Sequence, residues 1–282
     1  MSGATRPIGL LAGAGRFPVV FAEKARALNI SVGCVGLQHL APPELRTLCD
    51  RYAEVGIARM GGVIRAFRRM GVQQIVMAGK VQKAALFSPW RILQLLPDWT
   101  TLRFWYFRNR RDNKDDSLLL GVIDEFERAG FRFASALDFC PEILMRPGVL
   151  TRRSPTSSEL KDIEFGWDLA KEMGRLDVGQ SVAVRERAVL AVEAIEGTDR
   201  AIIRAGELSR RAGFVVVKVA KPQQDMRFDV PTVGVQTIES MRQAGATVLA
   251  VEAGRTILID DAQTIALADR YGIAVVALDK AA

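Results

Sequence analysis

The chain has 282 residues, 49% of them hydrophobic and 25% charged, with a formal net charge of +7. That length accommodates two modest domains or one large one, and the balance describes a globular chain rather than a disordered one. No run of about eighteen apolar residues is present, so no membrane-spanning segment is expected. The N-terminal apolar patch meets a glycine loop instead of a secretory cleavage pattern.

Cysteine and histidine narrow the chemistry further. Cys34, Cys49 and Cys140 are too few and scattered for a disulfide framework or a zinc cluster. They are expected to be reduced, partly buried thiols in a cytoplasmic protein. The single histidine, His39 in GLQHLAPPE, is expected in a structural role, which argues against a histidine triad or a His-rich metal site. The positive charge favours an anionic partner: nucleotide, phospholipid surface or nucleic acid. No nucleic-acid module supports the last.

In chain order, IGLLAG (Ile8–Gly13) predicts a buried strand and Pro18–Leu28 a helix, with Pro18 suited to its first turn. ISVGCVGL is a second strand, GGVIRAFRRMG a second helix and VQQIVMAG a third strand. This β-α-β-α-β order predicts a Rossmann-like parallel sheet. From Phe87 to Arg111 the pattern changes to basic and aromatic residues, Trp99, Phe104, Trp105, Tyr106 and Phe107 alternating with arginines. That segment reads either as a core or dimer-contact helix or as an interfacial helix on lipid, with nucleic-acid stacking the weaker reading.

DDSLLLGVIDEFERAG predicts a helix with Asp115, Asp116 and Ser117 at its start and Leu119, Ile123 and Phe126 on one face. FRFASAL is a further strand candidate. Residues 138–158, rich in proline and polar residues, read as a connection between domains 1–137 and 159–282. The second half opens on a helix with Leu160, Ile163, Trp167 and Ala170 along one side. SVAV and AVLAVEAI then predict two strands around RER. Further strands FVVVKVA, TVLAVEAG, TILI and IAVVAL alternate with helices. The expected fold class is therefore α/β, two α/β domains with a ligand cleft between them.

Two loops carry the candidate chemistry. LLAGAGRFP places Gly13, Ala14, Gly15 and Arg16 between a strand and a helix, where backbone N–H groups and a helix end could meet a phosphate. Pro18 stands in place of a third glycine, and Gly36-Leu37-Gln38 lacks the ribose-binding acid, so a nicotinamide oxidoreductase is disfavoured. The second loop is KPQQDMRFDVPTVG, Lys221 to Gly234. Asp225 and Asp229 are natural ligands for Mg²⁺ or another hard cation. Lys218, Lys221 and Gln224 stand ready for phosphate oxygens, unless the loop is a surface turn whose ions pair with one another. EGTD (Glu196–Asp199) offers Thr198 or Asp199 as a helix N-cap and free N–H groups for an anion.

These loops, with MAGKV (Met77–Val81), DDSLLLGVIDEFE, VEAIEGTDRAIIRAG and VEAGRTILID in this order and spacing, make the chain resemble the LpxI-type UDP-2,3-diacylglucosamine pyrophosphatases. The resemblance implies hydrolysis of a UDP-linked diacylated glucosamine to UMP and the diacylglucosamine 1-phosphate called lipid X, in lipid A synthesis. It implies a nucleotide-binding N-terminal half and a hydrolase C-terminal half. It gives Asp225 the catalytic role and implies a divalent metal, Mg²⁺ first. Loop chemistry adds Gly13, Ala14, Gly15, Arg16, Lys80, Thr198, Lys218, Lys221 and Gln224 as substrate contacts and Asp229 as a metal ligand beside Asp225. Peripheral contact with the inner membrane from the cytoplasmic side and homo-oligomerisation are left open. A non-enzymatic nucleotide- or lipid-binding protein using the same cleft is the competing reading.

Overall fold

Short apolar runs closed by glycine or charge become the strands of two sheets. The computed structural model describes residues 6–81, 97–108, 115–209, 213–227 and 229–279. They divide into two units, Met1–Cys140 and Pro141–Ala282, each with its own core. The division falls inside the 138–158 stretch read as a connection. Most of that stretch belongs to the second unit, where Gly148–Val149 pairs with the sheet.

In the first unit, β1 (Ile8–Ala12), β2 (Val32–Leu37), β3 (Arg51–Val55), β4 (Gln74–Ala78) and β5 (Arg132–Ala134) form a parallel sheet in the order β3-β2-β1-β4-β5. All residues of β1 and β2 are buried, as expected of parallel strands covered on both faces. β3 was not foreseen: RYAEV lies at the sheet edge and carries exposed charges, so it lacks an apolar run. Helices α1 (Phe17–Ala27), α2 (Leu45–Leu48), α3 (Met60–Arg69), α4 (Trp99–Arg108) and α5 (Asp115–Arg128) follow. Phe67 of α3, Phe126 of α5, Phe131 and Ile75 meet in one core. Ile123 and Phe126 are buried as their spacing predicts. The side chains expected at the start of α5, Asp115, Asp116, Ser117 and Leu119, lie outside the described residues. So do those of Phe104, Trp105 and Phe107, and residues 82–96.

The second unit contains β6 (Gly148–Val149), α6 (Ser157–Arg175), β7 (Ser181–Arg185), β8 (Ala188–Val192), α7 (Thr198–Leu208), β9 (Phe214–Lys218), β10 (Thr232–Val233), α8 (Val235–Ala244), β11 (Ala246–Glu252), β12 (Ile257–Leu258), α9 (Asp261–Arg270) and β13 (Ala274–Leu278). Six strands form a mixed sheet in the order β6-β13-β11-β9-β7-β8, and β10 pairs with β12. β9, β11 and β13 run parallel, while β6, β7 and β8 are antiparallel to their neighbours.

Side-chain alternation distributes β9 between two cores. Phe214 and Val216 join Ile238, Met241, Leu249 and Val275, whereas Val215 and Val217 join Ile163, Trp167 and Ala170 of α6. Leu160, expected on the same buried side, is instead 48% exposed. It sits in the first turn of α6, before the helix reaches the sheet-covering residues. The expected hairpin around RER is present. Glu186 and Arg187 both adopt positive φ (51° and 59°), and the Asp162 carboxylate accepts both their N–H groups at 2.9 and 2.7 Å.

Candidate functional site

The strand order of the first unit creates a crevice by topology. The chain leaves β1 toward β2 and β3, then returns to place β4 on the other side of β1. Outside the carboxyl ends of β1 and β4 lies the switch point where open α/β sheets take ligands. Gly13–Arg16 follow β1 there and Gly79–Lys80 follow β4. The two loops are bonded main chain to main chain: Gly13 N–H donates to Ala78 O (2.8 Å), Ala14 N–H to Lys80 O (2.9 Å) and Lys80 N–H to Ala14 O (2.8 Å). A Cβ on Gly79 would lie 2.8 Å from Ala14 O, and one on Gly13 would lie 2.8 Å from Lys80 O. Gly13 and Ala14 shape the loop and donate their N–H groups to main-chain carbonyls here. Gly15 (φ 99°), Arg16 and Lys80 are exposed beside the N-terminus of α1. Arg16 contacts Glu23 at 3.1 Å.

The second unit gathers charge at the carboxyl ends of β9 and β11. Lys218, the last residue of β9, is 3% exposed and donates to Thr198 Oγ1 (3.0 Å) and Thr232 O (3.1 Å). Thr198 Oγ1 donates to Glu193 Oε1 (2.9 Å) and lies 3.3 Å from Ser181 Oγ. The helix N-cap is Gly197, not Thr198 or Asp199. Thr198 opens α7 with its hydroxyl turned into this network. Glu193 is 8% exposed, and its second carboxylate oxygen has no hydrogen-bond partner among the described residues. Glu252, the last residue of β11, binds Lys171 Nζ (2.8 Å) and the Ala220 N–H (2.9 Å), which fixes the start of the Lys221–Gly234 loop.

Within that loop the expected residues fall into two groups. Lys221 Nζ pairs with Asp177, while its N–H donates to Gln224 Oε1 (2.8 Å). Gln224 Nε2 donates to Asp229 Oδ2 (2.7 Å). Asp225 is bound instead by Arg227, whose side chain reaches both carboxylate oxygens at 2.7–3.1 Å and whose N–H donates at 3.0 Å. The Arg227 guanidinium holds the Asp225 carboxyl below the usual carboxylate range, outweighing partial burial, so Asp225 is an anion at neutral pH. Asp229 N–H donates to Asp225 O (3.0 Å), so the two acids lie on one turn. Both lysines thus have protein partners of their own, and the phosphate role expected of them means sharing those partners.

The fit to a divalent cation is decided by the donor set. Among the described residues no group of three or more His, Cys, Asp or Glu is arranged to hold a metal. A closed protein cage is therefore absent there. Asp225, with 28% of its side chain accessible, has both oxygens on Arg227, and Asp229 Oδ2 takes Gln224 Nε2, so a hard cation would have to share these carboxylates with their present partners.

Sequence reading missed Glu193, Glu252, Lys171, Asp177 and Arg227. A signal existed for two of them. Val192-Glu193-Ala194 and Val251-Glu252-Ala253 each set one acid at the end of an apolar strand run, where an unpaired carboxylate would be costly. Lys171 and Asp177 gave none, being ordinary charges on and after a helix.

The fold is that of a two-unit α/β protein with charged side chains gathered at strand ends. The LpxI N-terminal domain model matches residues 7–143, and the LpxI C-terminal domain model residues 146–276. The chain is 37% identical over 287 aligned residues to the UDP-2,3-diacylglucosamine pyrophosphatase LpxI of Caulobacter vibrioides, covering 97% of this chain and 98% of that protein. A 136-residue stretch, 46% of the chain, is 30% identical to the bifunctional purine biosynthesis protein PurH of Anaeromyxobacter dehalogenans, covering 22% of it. The chain belongs to the LpxI family.

Proposed function

We propose that this chain hydrolyses the pyrophosphate bond of UDP-2,3-diacylglucosamine to UMP and 2,3-diacylglucosamine 1-phosphate, a step of lipid A synthesis. The observation that carries the reading is the 37% identity, running through nearly all of both chains, with the relative that bears this activity in its name. The site chemistry supports it. Cleaving a diphosphate requires charge neutralisation on two phosphoryl groups and an oriented water.

In this reading the exposed Gly15, Arg16 and Lys80 rim of the first unit receives the nucleotide phosphates. Asp225, kept ionised by Arg227, is the catalytic carboxylate and orients the attacking water through a carboxylate oxygen. Asp225 and Asp229 would hold Mg²⁺, which when bound offsets diphosphate charge. Lys221 and Gln224 position the loop through their bonds to Asp177 and Asp229. Lys218 and Thr198 support the loop's far end through Thr232. Three buried free cysteines accord with a reducing cytoplasmic setting.

The test is UMP release from UDP-2,3-diacylglucosamine with Mg²⁺ in ¹⁸O-water. Wild type should turn over and label one phosphate product. Asp225→Ala should lower kcat by about a hundredfold or more with its circular dichroism unchanged, since loss of a charge-stabilising contact costs about 3 kcal/mol of barrier. Tight binding without turnover under varied metals would replace the hydrolase with a binding protein. Normal turnover in Asp225→Ala would remove that residue from the mechanism.

A further inference from the structure

The geometry of α4 points to a second, separate role. Trp99, Leu102 and Tyr106 stand at i, i+3 and i+7, so they share one side of the helix. They are 79%, 46% and 75% exposed. The opposite side is pinned to α3. Thr101, only 8% exposed, accepts the Met60 N–H on its hydroxyl (3.1 Å). Asp98 accepts the Gly62 N–H (2.9 Å) and both the N–H and hydroxyl of Thr101 (3.0 and 2.9 Å). Rolling the rings inward would break these bonds and strand Asp98 and Thr101 in an apolar contact. The stripe is thus held outward by the fold.

A basic side chain borders it. Arg103, 55% exposed, flanks the stripe and is oriented by Glu125 at 2.6 Å. The chain as a whole carries a net charge of +7.

We propose that this face of α4 docks on an anionic lipid surface, with Trp99, Leu102 and Tyr106 entering the headgroup–acyl boundary and Arg103 meeting anionic headgroups. Tryptophan and tyrosine suit that boundary because each combines an apolar ring with a polar handle. Leu102 separates this occupant from single-stranded nucleic acid, which takes its stacking from rings and gains nothing from an aliphatic chain. A second copy would bring like charges together around the stripe. The surface does not rest on the hydrolase reading, because none of its residues belongs to either strand-end loop.

The experiment uses the full chain with vesicles of phosphatidylcholine alone or mixed with phosphatidylglycerol, read by co-sedimentation. Binding should require the anionic lipid and weaken as salt is raised. The triple change Trp99→Ala, Leu102→Ala and Tyr106→Ala should lower partitioning by about tenfold or more through lost apolar burial, and Leu102→Glu should act in the same direction. Circular dichroism should keep its helical signal in these variants, because each of the three side chains is 46% or more exposed. Four outcomes would overturn the proposal: no binding to anionic vesicles; equal binding by the triple variant; a concentration-dependent dimer abolished by these changes; or oligonucleotide binding lost with the rings but kept in Leu102→Glu.

Discussion

Asp225 and Lys218 illustrate opposite uses of charge in one unit. Asp225 is accessible and paired to an arginine two residues away, so its ionisation is set locally. Its folded pKa lies below the ordinary carboxylate value. The stabilisation from the pair is therefore present above that ordinary value and fades as pH falls through the lowered one. For activity, the acid limb of the kcat/KM profile should lie below the usual carboxylate range. In Arg227→Gln that limb should move to higher pH, and a pH–rate series on both proteins checks it. Lys218 is buried, and its ammonium faces the network containing Glu193. Lys218→Met should destabilise the protein by about 1–3 kcal/mol, since it leaves Thr198 Oγ1 and Thr232 O without a buried donor. Urea denaturation measures this, and in a Thr198→Val background the same change should cost less, giving non-additive coupling.

At the scale of elements, caps and edges decide what a sequence shows. α6 begins with a reciprocal cap: Thr156 Oγ1 accepts the Glu159 N–H (3.3 Å), and Glu159 accepts the Thr156 N–H (2.8 Å). Burial raises the Glu159 pKa, but Thr156, Arg153 and Thr247 together bring it below its ordinary value. Thr156→Ala should cost about 1 kcal/mol, visible as a lower melting temperature. The buried strands could be read directly because IGLLA is apolar throughout and FVVVK is apolar up to its last residue. β3 could not, because its edge position leaves RYAEV half polar, and β10 and β12 pair over only two residues each. The site was legible as loops rather than as partnerships. Asp225, Thr198 and Lys218 stood out by residue type, yet which acid met which cation depended on Asp177 and Arg227. The distance from Asp177 to Lys221 is 44 residues, beyond any local spacing rule.

For the whole molecule, the cores stay within their units: Phe67, Ile75 and Phe126 in the first, Val216, Leu249 and Trp167 in the second. A fragment of residues 141–282 should therefore fold by itself, with a cooperative thermal transition and the circular dichroism of an α/β domain. A fragment lacking such a transition would show that its sheet needs the remainder of the chain. The glycine contact at the first unit's switch point has a consequence for how such a protein diversifies. Where Gly79 touches Gly13 and Ala14, bare main chain forms the wall, so no side chain can be varied there without prising the strands' ends apart. If the first unit takes a nucleotide as proposed, retuning of its choice is left to the rim, at Arg16 and Lys80, where one substitution changes charge and reach while the architecture stays still.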